Sequence, residues 1–190
     1  PRASMFVMNT APDTALRYAT LKDIPALVTL VTSAYRGDTS RAGWTTEADL
    51  LDGERIAPDV LRVDLERPRS LVVVLERAHT LLACAHVAEE DGAGYFGMFA
   101  VAPALQGSGI GKHVLAECER IARDDWQLPS MRMTVINVRD ELIAFYQRRG
   151  YQRTGAFKPF PYGDARFGQP KRDDLRFDVL EKNLRTEAVA

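Results

Sequence analysis

No apolar run in the 190 residues approaches the roughly 20 needed to cross a bilayer as a helix, so no membrane role is expected. The N-terminal end also lacks the charged-then-apolar pattern of a secretion signal. A surplus of charge is missing as well. The formal net charge is -1, whereas a broad nucleic-acid surface needs a clear basic excess. Cysteine is scarce: Cys84 and Cys118 each fall in an apolar pattern, which reads as a buried free thiol rather than a disulfide or a nucleophile. The three histidines sit in no His/Cys/carboxylate spacing that would hold a metal. These absences together fit a reducing, cytoplasmic setting with no metal, no nucleic acid and no membrane.

What is present is the composition of an ordinary soluble globule, 46% hydrophobic and 27% charged, of a length that suits one domain. Residues 1–13 read as a mobile leader, with Met5 or Met8 as candidate natural starts, and 14–190 as the domain. Ala15 to Ala19 is a short strand. Thr20 and Asp23 have the spacing of a capping box, and Ile24, Leu27, Val28, Val31 and Tyr35 recur at helical spacing behind it. A polar, aromatic loop with Tyr35, Arg36, Asp38 and Trp44 follows. Thr45-Thr46-Glu47 predicts a second short helix through Leu51, and Pro58 opens another that ends before Pro68.

Strands come next. The apolar run within Ser70 to Glu76 suits a strand buried on both faces. Thr80 to Val87 and Ala93 to Val101 follow across two tight turns, giving an antiparallel meander. A helix with Ile110, Val114, Leu115, Cys118, Ile121 and Ala122 on one face then leads to a strand at Met131 to Val135, as in a parallel crossover. Glu141 to Arg149 is a helix closed by Gly150, and Tyr151 to Ala156 with Asp174 to Glu181 a last hairpin around a long loop, Lys158 to Lys171. The predicted fold is α/β, with a mixed, mostly antiparallel sheet flanked by helices.

The stretch that carries chemistry is Gln106-Gly-Ser-Gly-Ile-Gly-Lys112, at the strand-to-helix junction. Alternate glycines allow positive φ and close approach to the backbone, and the following helix aims free N–H groups at the loop, so this is an anion site. A P-loop would need a glycine at Gln106 and a hydroxyl at His113. A dinucleotide fingerprint would need its third glycine one residue later and a parallel sheet before it. Neither fits.

Gln106-x-x-Gly109-x-Gly111 resembles the acyl-donor loop of the GNAT superfamily of N-acetyltransferases. The resemblance extends to Leu142-Ile-Ala-Phe-Tyr146-Gln-Arg-Arg-Gly150-Tyr151, which is similar to that family's Tyr-x-x-x-Gly-Phe/Tyr helix end, and to the element order over about Ala15 to Lys182. It implies a GNAT-like fold with a splayed parallel strand pair and acetyl-CoA as cosubstrate. The amides of Gln106, Gly107, Ser108, Gly109, Ile110 and Gly111, with Lys112, would hold the pyrophosphate. The backbone of Phe99, Ala100 and Val101 would pair with the pantetheine arm. Where the family often has Asn, Arg139 stands here, with Asn137 two residues earlier, and either could take that contact. Tyr146 matches the position of the general acid that protonates the departing thiolate, and a strand amide near Phe99 or Ala100 would face the developing oxyanion.

The general base is open among Glu47, Glu89, Glu90, Asp91 and water. His86 reads as a core histidine, and His79 and His113 as exposed. Arg148, Arg149, Arg153, Lys158 and Arg166 form a basic run that reads as a solvated face or as a contact for the 3′-phosphate of CoA or an anionic substrate group. The implied function is acetyl transfer to a primary amine of a small molecule, with the Tyr35–Trp44 and Lys158–Lys171 excursions walling the pocket. The alternatives are acetylation of a protein lysine or N-terminus, and a non-catalytic acyl-CoA sensor. The acceptor and the oligomeric state, a homodimer included, stay open.

Overall fold

The structure is a computed structural model that describes residues 14–53, 55–164 and 168–185. The expected leader, 1–13, lies outside these residues, as does Arg166 of the basic run. The elements in chain order are β1 (Thr14–Tyr18), α1 (Ile24–Tyr35), α2 (Gly37–Ser40), β2 (Leu51–Asp52), α3 (Pro58–Glu66), β3 (Ser70–Arg77), β4 (Thr80–Glu90), β5 (Ala93–Val101), α4 (Ile110–Arg120), β6 (Ser130–Ile136), α5 (Asp140–Gln147), β7 (Gln152–Pro159), β8 (Gln169–Pro170) and β9 (Arg176–Asn183). Seven strands form one sheet in the order β1-β3-β4-β5-β6-β9-β7, antiparallel except for the β5–β6 pair. This is the mixed sheet that the sequence predicts.

Local chemistry explains most of the boundaries. The Asp23 carboxylate accepts the Thr20 N–H at 2.7 Å, one half of the capping box ahead of α1. Pro25 falls in the first turn of α1, where its missing N–H costs nothing. The meander turns at Ala78-His79 and Asp91-Gly92 place both central residues at positive φ, the geometry that matches strand twist. Gly150, at φ +91°, closes α5.

Two layers of helix cover the sheet. α4 and α5 lie on one face over Val73, Ala85, Phe96, Met131 and Leu180, while α1 and α3 cover Val72, Val74, Cys84 and Ala100 on the other. One expected helix is absent. Glu47 to Leu51 makes a single turn, with Leu50 and Leu51 N–H groups on the Glu47 carbonyl at 2.8 Å. Leu51 then pairs with Pro170 as β2–β8. The Leu51 side chain is buried with Ile136, Phe160 and Leu175, and this tertiary contact overrides the local helix signal.

His86 is a core histidine. Its Nε2 lies 2.8 Å from Ser70 Oγ, and its Nδ1 is 3.8 Å from Asp64 Oδ2. Ser–His–Asp proximity suggests a nucleophile, but the protons run the wrong way. The Ser70 hydroxyl donates to the Asp64 carbonyl at 2.5 Å, so the imidazole must be the donor to Ser70. Desolvation, with Arg67 adding to it, lowers the His86 pKa to about 4.

Two predictions follow from the packing. A Cβ on Gly94 would sit 2.9 Å from Met131 Sδ and 3.0 Å from Ala122 Cβ. Gly94→Ala should therefore destabilise the protein by about 1–3 kcal/mol, read as a lowered urea midpoint. The unfolded chain protonates His86 below about pH 6.5 and the folded chain only near pH 4, so stability falls as pH drops through that window. Between pH 7 and pH 5 this amounts to about 2 kcal/mol. Urea melts of His86→Gln at the two pH values should show a loss smaller by that amount; an identical loss would assign the acid sensitivity elsewhere.

Candidate active site

β5 and β6 pair at two positions only, Gly94 with Met131 and Tyr95 with Arg132. Beyond these the strands part and form a fork. A bulge sharpens the divergence: the β4–β5 register shifts between Cys84 and His86, and Met98 takes φ +47°. Ala100 then faces Cys84 in the ladder, while the carbonyls of Phe99 and Val101 point outward. The Tyr35 hydroxyl donates to the Phe99 carbonyl, and Gln106 Nε2 donates to the Val101 carbonyl at 3.1 Å. In an extended strand a residue's N–H and C=O lie on the same edge, so the amides of Phe99 and Val101 also face the fork.

The glycine loop follows at the open end. Gly107 and Gly109 have φ +86° and +87°, which their residue type permits. The amides of Gln106, Ser108 and Lys112 are used inside the loop, on the carbonyls of Pro103, Leu105 and Gly109. Those of Gly107, Gly109, Ile110 and Gly111 have no partner among the described residues. Gly111 is there for contact: a Cβ would lie 2.8 Å from the Phe99 ring and 3.3 Å from Val101. The Lys112 side chain folds back over Gly109, its Cε 3.4 Å from where a Cβ would be. A run of free amides with one ammonium beside it fits a diphosphate. Within this cradle, the Gln106 side chain is a strut, bonded to Thr45 Oγ1 at 2.7 Å as well as to Val101.

Tyr146 projects from α5 into the aromatic cluster of Phe96, Phe99, Phe145 and Tyr151 and is 4% exposed. Its hydroxyl makes no hydrogen bond to the described residues. Burial raises its pKa well above the ordinary phenol value, Tyr35 adds to this, and Arg139 opposes it. The group therefore keeps its proton at any physiological pH.

On the α1 side of the fork, Thr45 and Glu47 span both arms. Thr45 N–H reaches Gln106 Oε1 at 3.2 Å, and Arg139 donates to the Thr45 carbonyl at 2.5 Å. Glu47 is 3% exposed and pairs with Arg36 at 2.5 Å, Arg139 at 2.8 Å and Arg55 at 3.5 Å. Burial would raise its carboxyl pKa, but Arg55, Arg139 and Arg36 outweigh that and hold it below the usual range. Of the two candidates for the family's Asn contact, Arg139 thus points to Glu47. Asn137 ties down the start of β9, accepting from the Arg176 amide at 3.0 Å and donating to the Asp174 carbonyl at 3.3 Å. Glu89 pairs with Arg69, and Glu90 with Arg67 at 3.2 Å.

A trough of about 330 Å³ lies at the paired start of the fork, lined among others by Asp91, Gly94, Tyr95, Thr134, Lys158 and Val179. The Lys158–Lys171 excursion folds onto the chain that follows Trp44: β8 pairs with β2, and Lys171 Nζ donates to the Ala48 carbonyl at 2.7 Å. The arginine cluster had no signature in the sequence, because its members stand at 36, 55 and 139.

The acetyltransferase (GNAT) family model matches residues 27–151. No curated protein matches the chain by sequence. Among solved structures, the ribosomal-protein-S18-alanine N-acetyltransferase from Escherichia coli superposes with a TM-score of 0.66 at 13% identity, over 93% of this chain and 99% of that one. An IAA acetyltransferase from Bacillus cereus gives 0.62 at 16% identity, over 90% and 99%. A putative streptothricin acetyltransferase from Bacillus anthracis, in complex with acetyl coenzyme A, gives 0.53 at 14% identity, over 64% and 66%. At these identities the likeness is one of fold. The family match spans more than half of the chain, and the protein belongs to the acetyltransferase (GNAT) family, whose acetyl donor is acetyl-CoA.

Proposed function

We propose that the chain is an N-acetyltransferase that moves the acetyl group of acetyl-CoA to the primary amine of a small molecule. The observation that carries this reading is the Tyr146 hydroxyl: buried at the fork, held protonated, and spent on no other described residue. Acetyl-CoA would supply the activated acetyl group and a thiolate leaving group. The free amides of Gly107, Gly109, Ile110 and Gly111, with Lys112, would bind its diphosphate. The Phe99 and Val101 amides would bind the pantetheine arm.

Tyr146 would serve the departing sulfur as a hydrogen-bond donor. A thiol has a pKa of about 8.5 and a phenol about 10, raised further here, so complete proton transfer from Tyr146 would run uphill. Glu47 is a poor proton acceptor, because three arginines stabilise its ionised form. Glu89 and Glu90 are paired with arginines. Asp91, which lines the trough, and water there are then the routes for the amine's proton. The trough of about 330 Å³ at the paired start of the fork has room for a small acceptor.

Coenzyme release with a panel of small amines and peptides tests the reading. Release with small amines is expected. Release with peptides alone would replace it with protein acetylation, and tight acetyl-CoA binding with no release above hydrolysis would make the chain a sensor. Tyr146→Phe should lower kcat by about 100-fold or more, with acetyl-CoA affinity held within about twofold. An unchanged kcat would remove Tyr146 from the chemistry.

A further inference from the structure

Three arginines converge on one buried carboxylate beside the fork. Among the described residues, Glu47 is the only carboxylate that ion-pairs with Arg36, Arg55 or Arg139. Among the described residues the group therefore carries a surplus of two positive charges, with Arg36 and Arg139 buried and Arg55 one-third exposed. Its hydrogen bonding is also incomplete. Arg36 is 6% exposed, and its Nε is covered and has no partner among the described residues. Arg55 makes no hydrogen bond to the described residues; its guanidinium touches Glu47 only at 3.5 Å and lies over the Tyr35 ring at 5.1 Å. Arg139 lies over the same ring at 5.5 Å. Buried donors without acceptors are rare in native proteins, and surplus buried charge is rarer still, unless a ligand completes the site.

The position narrows the ligand. The cluster surrounds Tyr35, whose hydroxyl is bonded to the Phe99 carbonyl at the fork. The diphosphate cradle, Gly107 to Gly111, has its own amides and lysine and opens α4, which packs with Phe99 and Val101 on one face of the sheet, whereas Tyr35 packs on the other. The arginines thus stand on the acceptor side. Guanidinium groups bind a carboxylate through paired N–H donors, a geometry that an ammonium does not offer.

We propose that the acceptor amine carries a carboxylate, and that this carboxylate sits on Arg36, Arg55 and Arg139 beside Tyr35. The inference rests on the acetyltransferase reading for the word acceptor, but the anion site stands without it. A site built to bind a charged group rejects the analogue that lacks it, so the preference is measurable by binding alone.

The test is calorimetric titration of the protein with a set of N-acetyl amino acids and, in parallel, their carboxamides. The carboxylates should bind at least about tenfold more tightly than their neutral twins. Arg55 is the residue to change, since its side chain is one-third exposed and holds no hydrogen bond to the described residues. Arg55→Gln should bring the ratio to within about twofold, while Arg55→Lys, which keeps the charge, should retain part of it. Equal binding of both series, no binding of either, or a ratio preserved in Arg55→Gln would overturn the proposal. Carboxylate preference without coenzyme release from any amine would sink the transferase reading and leave the anion site intact.

Discussion

The molecule depends on two parallel strands that stop pairing after two residues. Gly94 lets β5 come close to β6 and to the end of the α4 segment, since any side chain there would strike Met131 and Ala122. A few residues later the Met98 bulge turns β5 away. An unpaired strand edge inside a protein leaves backbone groups without partners, and such groups must find them. Two are met by side chains, Tyr35 at Phe99 and Gln106 at Val101. The amides that remain face the opening, so the same defect that weakens the sheet creates a place for an extended ligand.

Side chains, rather than strand hydrogen bonds, set the width of that opening. Thr45 is held by Gln106, which follows β5, and by Arg139, which follows β6. Glu47, two residues on, is held by Arg139 again. One short segment of chain thereby ties the two arms together across the gap. It also brings the positive cluster next to the aromatic wall of Tyr35, Phe99 and Tyr146.

Much of this was legible in the sequence, and the exceptions share a cause. The meander, the crossover helix and the α5 stop at Gly150 follow from apolar period and turn chemistry, which act over a few residues. β5 begins and ends where its pattern does, at Ala93 and Val101. The bulge left no trace, because Met98 is not a residue type that signals positive φ. The Thr45-Thr46-Glu47 helix signal was outweighed by partners distant in the chain: Gln106 and Arg139 claim Thr45, and Arg36, Arg55 and Arg139 claim Glu47. For the same reason Glu47 could stand in the sequence as a candidate base, whereas its surroundings keep it ionised.

The β2–β8 ribbon bears on the order in which the molecule forms. It joins residues about 120 positions apart through two residue pairs. Loop closure over such a separation costs entropy that two pairs do not offset. The meander β3–β4–β5 needs only short turns, and the β6–β9–β7 strands follow from it. Once the sheet has brought both ends near, the ribbon becomes a local contact and closes cheaply. The fork and its glycine loop therefore rest on contacts that do not need the ribbon, and the ribbon is the contact that closes last and opens first.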